Sequence, residues 1–239
     1  MVYYTGDIHG RKYEIVRFCK KMNLTSDDVI VILGDVGANY FGDERDDELK
    51  QAFHRLKTTI FCIHGNHEMR PATIPSYLSK EWNGGIVWYE NAYPNILFAR
   101  DGEIFTLDGI RHLVIGGAYS VDKPYRLARG YGWWEDEQPS DDTKKYVEQQ
   151  IMDHSVDVIL SHTCPFKYEP LEAFLPMINQ DSVDTSTEHW LDKIEETCSY
   201  KQWLCGHWHI NKQIDKMQFL YHDFISMDDL KRRIHVEVL

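Results

Sequence analysis

Apolar runs of four or five residues recur along the chain, and most stop abruptly at a glycine or a polar residue. Val2–Thr5, Val29–Leu33 and Ile60–Ile63 are three such runs. Two stretches with helical spacing lie between them. The first carries Ile15, Phe18, Cys19 and Met22; the second, Asp46–Lys57, carries Leu49, Phe53 and Leu56 on one face. Short unbroken apolar runs are the signature of strands buried on both faces, and a 3.6-residue period marks an amphipathic helix. The opening third therefore predicts β-α-β-α-β, the pattern of helical crossovers over a parallel sheet.

The pattern then changes. Ile86–Glu90, Ile96–Arg100, Glu103–Leu107 and Ile110–Ile115 are short strand-like runs, separated by Asn91-Ala92, Asp101-Gly102 and Asp108-Gly109. Asp-Gly between alternating runs is a hairpin signal, so an antiparallel meander is predicted here. Ala118–Ser140 reads as an irregular stretch rich in aromatic and charged residues. Thr143–Asp153 is a predicted helix, and Val156–Leu160 a buried strand running into Ser161-His162. Thr185 with Glu188 has capping-box spacing ahead of Trp190, Leu191 and Ile194. Gln202–Cys205 is the next strand, and closing strands are predicted around Phe219–Tyr221 and Ile234–Val238. No repeat, low-complexity tract or linker divides the 239 residues, so one domain over residues 1–239 is the simplest reading.

Charge changes the picture in one respect. The net charge of −12 argues against a broad electrostatic footprint for extended nucleic acid or an anionic membrane, though a local positive site is compatible with it. The five cysteines form no CxxC pair and their number is odd, so neither a disulfide framework nor a zinc ribbon is predicted. No charged-then-apolar leader opens the chain and no run approaches a membrane span. A soluble cytoplasmic protein is expected, of open oligomeric state.

The chemistry sits where the runs stop. Strand ends carry Asp7 with His9, Asp35, Asn66 with His67, His162, and His207 with His209. Singly each has an ordinary explanation: Asp7 and Asp35 as helix caps, the histidines as satisfied polar residues. Jointly they put two carboxylates, an amide oxygen and five imidazoles after buried strands, whose ends align along one edge of a crossover sheet. Mixed nitrogen and oxygen donors suit borderline divalent ions such as Mn, Fe, Zn or Ni. The set exceeds what one tetrahedral ion uses and suffices for two, with a carboxylate as the natural bridge. Of the other histidines, His54, His112, His154, His189, His222 and His235 read as structural or surface residues, and His64 precedes the turn. Glu68 reads as a residue that orients the turn.

The order Gly-Asp-x-His, Gly-Asp, Gly-Asn-His-Glu, His, Gly-His-x-His, spanning residues 6 to 209, resembles the calcineurin-like metallophosphoesterase superfamily. The resemblance implies an α/β fold of four layers, a two-sheet mixed β-sandwich flanked by helices. It implies that Asp7, His9 and His209 bind one metal, that Asn66, His162 and His207 bind a second, that Asp35 bridges them and that His67 is catalytic. It implies a dinuclear phosphoesterase, with manganese favoured, cleaving mono- or diesters of a small substrate, nucleotide-like among the options. The alternative is a non-catalytic scaffold on the same fold. Two branches are disfavoured: Asn39 stands where protein phosphatases carry an arginine, and Ala38 where purple acid phosphatases carry a metal-ligating tyrosine. Substrate contacts are expected from Arg11 and Arg70, just past metal blocks, and from Arg126, Arg129, Trp133 and Trp134 in the aromatic stretch.

Overall fold

The computed structural model describes residues 1–236, with side chains through Ile234. The first crossover region forms as the periodicity predicts: β1 (Val2–Thr5), α1 (Lys12–Met22), β2 (Val29–Ile32), α2 (Glu44–His54) and β3 (Thr59–Cys62). β4 (Leu78–Trp82), β5 (Gly85–Tyr89), β6 (Ile96–Ala99), β7 (Ile104–Leu107) and β8 (Ile110–Ile115) follow, then α3 (Lys123–Arg129), α4 (Asp141–Asp153) and β9 (Val158–Ser161). The chain continues through α5 (Ser186–Thr197), β10 (Gln202–Cys205), β11 (Lys212–Ile214), β12 (Met217–Phe219), β13 (Ile225–Ser226) and α6 (Met227–Val236).

Two mixed sheets result, ordered β13-β1-β2-β3-β6-β5-β4 and β11-β12-β10-β9-β8-β7. β1, β2, β3 and β6 run parallel, as do β8, β9, β10 and β12. Alternate residues explain the layering. Val31, Leu33, Phe61 and Ile63 of the first sheet meet Val158, Leu160 and Leu204 of the second in the inter-sheet core. Ile30, Ile32, Ile60 and Cys62 point the other way, onto Ile15, Cys19, Leu49 and Phe53 of α1 and α2. Ile159, Trp203 and Cys205 pack on Val147 of α4 and Trp190, Leu191 and Ile194 of α5. The layers are thus helix, sheet, sheet, helix, as the resemblance implied.

Four local expectations are corrected. The meander is cut in two, because β6 ends one sheet's hairpins and β7 begins the other sheet. The stretch Ala118–Ser140 is not wholly irregular: it holds α3, entered through Pro124 and closed by Gly130 at φ +67°. The last expected strand is α6 instead, because Met227, Leu230 and Ile234 lie at helical spacing and all enter the inter-sheet core; the end of that segment lies outside the described residues. Thr185 forms no capping hydrogen bond to α5. The reciprocal cap is at α6, where Ser226 Oγ accepts from Asp229 N–H (3.1 Å) and Asp229 Oδ2 accepts from Ser226 N–H (3.1 Å).

All five cysteines are buried and free. Among the described residues, no helix is long and apolar enough to cross a membrane.

His112, read as structural, is buried beside Tyr4. Its Nδ1–H donates to the Ile110 carbonyl (2.9 Å), so Nε2 accepts from the Tyr4 hydroxyl (2.7 Å). Burial pushes the imidazole down to about 4, against the pull of the Ile110 and Phe105 carbonyls. An unfolded histidine titrates near 6.5, so between there and about 4 the unfolded chain binds a proton that the native state refuses. Stability from this group is therefore complete above that window and is lost as pH falls through it, up to about 3 kcal/mol. Urea midpoints measured in chelator at about pH 7.5 and 4.5 should fall less steeply for His112→Gln than for the parent. Parallel curves would exclude His112 as the source.

Candidate metal centre

Parallel register brings the ends of β1, β2 and β3 to one edge of the first sheet and those of β9 and β10 to the facing edge of the second. The two edges are tied by polar contacts. His207 N–H donates to Asp7 Oδ1 (2.8 Å), and His162 Nδ1–H donates to the Leu33 carbonyl (2.8 Å). Within the first sheet, His9 N–H donates to the Asp35 carbonyl (2.8 Å) and His67 N–H to Asp35 Oδ1 (2.8 Å). Glycine is required where the turns touch. A Cβ on Gly65 would lie 2.0 Å from Asp35 Oδ1, and one on Gly206 would lie 2.2 Å from Asp7 Oδ1. Four site residues hold left-handed backbone: His9 (φ +44°), Asp35 (+48°), His207 (+65°) and His209 (+52°). Each costs roughly 1 kcal/mol and persists because the surrounding contacts over-determine it. Neither Asp7 nor Asp35 is a helix cap; α1 starts after Arg11 and α2 is capped by Asp43.

Two groups of donor atoms stand on either side of Asp35. In the first, His9 Nε2 and His209 Nε2 are 2.9 Å apart, and Asp7 Oδ2 lies 3.8 and 3.2 Å from them. In the second, Asn66 Oδ1 faces His162 Nε2 (2.8 Å) and His207 Nδ1 (3.1 Å). Asp35 turns Oδ2 toward His9 Nε2 (3.8 Å) and Oδ1 toward His162 Nε2 (3.5 Å).

The donors fit cations. Asp7 Oδ2 is fully buried and makes no hydrogen bond. With a single ring proton, held on Nδ1 by the Leu33 carbonyl, His162 turns the Nε2 lone pair toward Asn66 Oδ1, another lone pair, with no hydrogen between them. A metal-ligating histidine is commonly oriented in this way by a carbonyl behind it. The amide is held in that orientation from its other end: Asn66 Nδ2–H donates to Ser120 Oγ (2.9 Å), which donates to Glu137 Oε2 (2.5 Å). Arg126 Nη1 adds a bond to Ser120 Oγ (3.1 Å).

The carboxylates are held ionised and the imidazoles divide: burial pushes His9 and His207 down, while the bond to the Asp7 carboxylate raises His209. Burial raises the Asp7 carboxyl, but His209, then the charges of His162 and His9, outweigh it and leave it below its ordinary value. Burial likewise raises Asp35, and the charges of His162, His67 and His9 carry it below the usual range. Burial and the neighbouring His162 push His207 down to about 3. Ionised carboxylates and neutral imidazoles are the forms that bind metals.

Glu68 is the strut that its place in the turn predicted. Fully buried, it accepts N–H groups of Val36 (3.2 Å), Gly37 (3.2 Å) and Gly65 (3.4 Å), tying the turn after β3 to the turn after β2. Burial and the Asp35 charge push its carboxyl up to about 8, against those three bonds. His67 packs edge-on to His9 (ring centroids 5.2 Å). Its ring, with His9 and Asp35, offers donor atoms within 4.8 Å of one another.

The expected substrate contacts are mostly elsewhere. Arg126 is 2% exposed and backs the Asn66 turn from inside. Arg70 is committed to Asp101 Oδ2 (2.5 Å) and the Asp136 carbonyl (2.6 Å), beside a second cavity. Trp134 packs on Tyr40, Lys123 sits over Trp133, and Arg129 lies over Tyr125. Arg11 is bonded to Tyr221 and His222 and electrostatically linked to His209.

The cavity that opens on the donor atoms has a volume of about 350 Å³. Tyr119, Val121 and Asp122 reach it from the aromatic stretch. Most of its far wall comes from Glu169–Glu188, including Phe174, Leu175, Ile178 and Val183. Periodicity does not reveal that segment, because its apolar residues follow neither the helical nor the strand spacing; their density, Phe166 through Ile178, is the signal it does carry.

The sequence model described as calcineurin-like phosphoesterase matches residues 1–211. No curated protein matches the chain. The fold is similar to that of TT1561 of Thermus thermophilus, with TM-score 0.55 and 12% identity over 97% of this chain and 95% of that one. A second solved structure gives TM-score 0.52 and 12% identity over 92% and 88%.

Proposed function

The chain belongs to the calcineurin-like phosphoesterase family, and from that premise we propose that it hydrolyses mono- or diester bonds of a small phosphorylated substrate with two divalent metal ions. The observation that carries the reading is the pair of donor groups sharing Asp35. Asp7, His9 and His209 would hold one ion, Asn66, His162 and His207 the other, and Asp35 both. Ions bound there supply Lewis-acid charge and bring the proton loss of a water near neutral pH. The mixed imidazole and carboxylate donors suit Mn, Fe, Zn or Ni, and manganese is the ion that the family resemblance favours.

The remaining work falls to the chain. Asp35, fixed by the His67 N–H and wedged against Gly65, keeps the two donor groups at one spacing. His67 lines the cavity with His9 and Asp35, within reach of a phosphate seated on the donor groups. Its imidazole donates a proton to the leaving oxygen. With a net charge of −12 on the whole chain, attraction of a phosphate must be local to the site.

Metal analysis of purified protein should find about two ions per chain, and the Mn-loaded protein should cleave bis(p-nitrophenyl) phosphate. His67→Ala should keep the metal and lose about 10²–10³ in turnover. A single ion per chain, or undiminished turnover in His67→Ala, would overturn these assignments.

A further inference from the structure

Away from the donor atoms the cavity is apolar and acidic. Phe174 stacks on Trp208 (centroids 5.8 Å, 19° between planes), and Leu175, Ile178 and Val183 extend that wall. Asp122, Glu169, Asp184 and Glu188 supply its charge, and no lysine or arginine lines it among the described residues. A second phosphate on the substrate would therefore meet carboxylates, while the arginines expected to grip one are engaged elsewhere.

Glu188 is the buried carboxyl of this wall. It is 4% exposed, lines the cavity, and its Oε2 makes no hydrogen bond. The capping role its spacing predicted is not taken up, since Thr185 forms no cap. Burial pushes its carboxyl up to about 7, against its own backbone N–H and the adjacent Thr163 hydroxyl. A buried carboxylate oxygen without a hydrogen bond is costly, and a cation entering the cavity lowers that cost. The Phe174 and Trp208 rings that share the lining with it offer cation–π attraction and cover apolar substituents.

Resting on the phosphoesterase reading, we propose that the cavity selects phosphoesters whose organic group is a hydrophobic cation, an alkylammonium alcohol. Its carbon frame lies against Phe174 and Trp208 and its ammonium faces Glu188, while the phosphate reaches the donor groups at the other end. Hydrolysis is the ordinary one: water adds to phosphorus, the P–O bond to the alcohol breaks, and the leaving oxygen takes a proton.

The test compares choline phosphate, its uncharged isostere 3,3-dimethylbutyl phosphate and a nucleoside monophosphate, using Mn-loaded full-length protein with bis(p-nitrophenyl) phosphate as the reference. kcat/KM should be about tenfold higher for the cationic ester than for its isostere, and lower still for the nucleotide. Glu188→Gln should bring the cationic and neutral esters together, and Phe174→Ala, on the open wall, should raise KM for the cationic ester more than it lowers kcat. Calorimetric binding of choline phosphate to the same proteins should show the same order without turnover. Cleavage of the reference ester with equal or reversed preference would sink the cation proposal and leave the phosphoesterase reading standing. Tight, Glu188-dependent binding of choline phosphate by a protein that cleaves nothing would do the opposite. If Glu188→Gln does not fold, equal binding of the cationic and neutral esters by the parent protein overturns the proposal.

Discussion

Asp35→Asn is expected to leave about one metal ion per chain and to lower turnover of bis(p-nitrophenyl) phosphate about a thousandfold. The size follows from position. Asp35 turns one carboxylate oxygen to each donor group, Oδ2 3.8 Å from His9 Nε2 and Oδ1 3.5 Å from His162 Nε2. Asparagine keeps the volume and an oxygen for the His67 N–H, but it removes the charge that two cations would share. The fold should survive, because Asp35 is bonded through Oδ1 and its backbone carbonyl, which the substitution retains. Urea unfolding in chelator should therefore stay a single cooperative transition, lowered by loss of the carboxylate its histidine neighbours favour, while metal content drops. Retention of both ions at full rate would show that Asp35 bridges nothing.

Gly65→Ala should abolish metal binding by a different route. The new Cβ would stand 2.0 Å from Asp35 Oδ1 and 2.2 Å from Asp35 N, and backbone cannot yield as a flexible side chain does. The turns after β2 and β3 must separate, which pulls Asn66 from His162 and Asp35 from both donor groups. Overpacking of this kind costs about 1–3 kcal/mol in chelator. Gly109→Ala is the comparison: φ there is +78° and a Cβ meets nothing within 4 Å, so it should lose about 1 kcal/mol through backbone strain and keep its metal. Equal metal content in the two variants would refute the steric account.

The strand ends were readable because their causes are local. Residues 29–33 and 60–63 are apolar on both faces, which marks central parallel strands, and the glycines after them stand where neighbouring turns have no room for a Cβ. Asp7, His9, Asp35, Asn66, His162, His207 and His209 were accordingly all legible as strand-end residues, and the fold brings them to one edge. The cavity wall was not readable. Arg126 looked like a phosphate contact and is a buried prop behind Asn66, because its guanidinium is taken up by Ser120 Oγ and by the carbonyl of Asn66, sixty residues away. Glu188 looked like a capping-box partner and lines the cavity, and Thr185 makes no capping bond for it to reciprocate.

By itself the sequence determined the β-α-β-α-β opening, the buried strands and the residue types at their ends, since hydrophobic period and turn chemistry act over a few neighbours. Tertiary structure decided the remainder: which sheet each strand of the meander joins, that the chain closes with α6, and that Glu169–Glu188 rather than Trp133-Trp134 walls the cavity. Those outcomes depend on apolar faces and polar groups far apart in the chain competing for the same partners. Neither periodicity nor spacing records who wins.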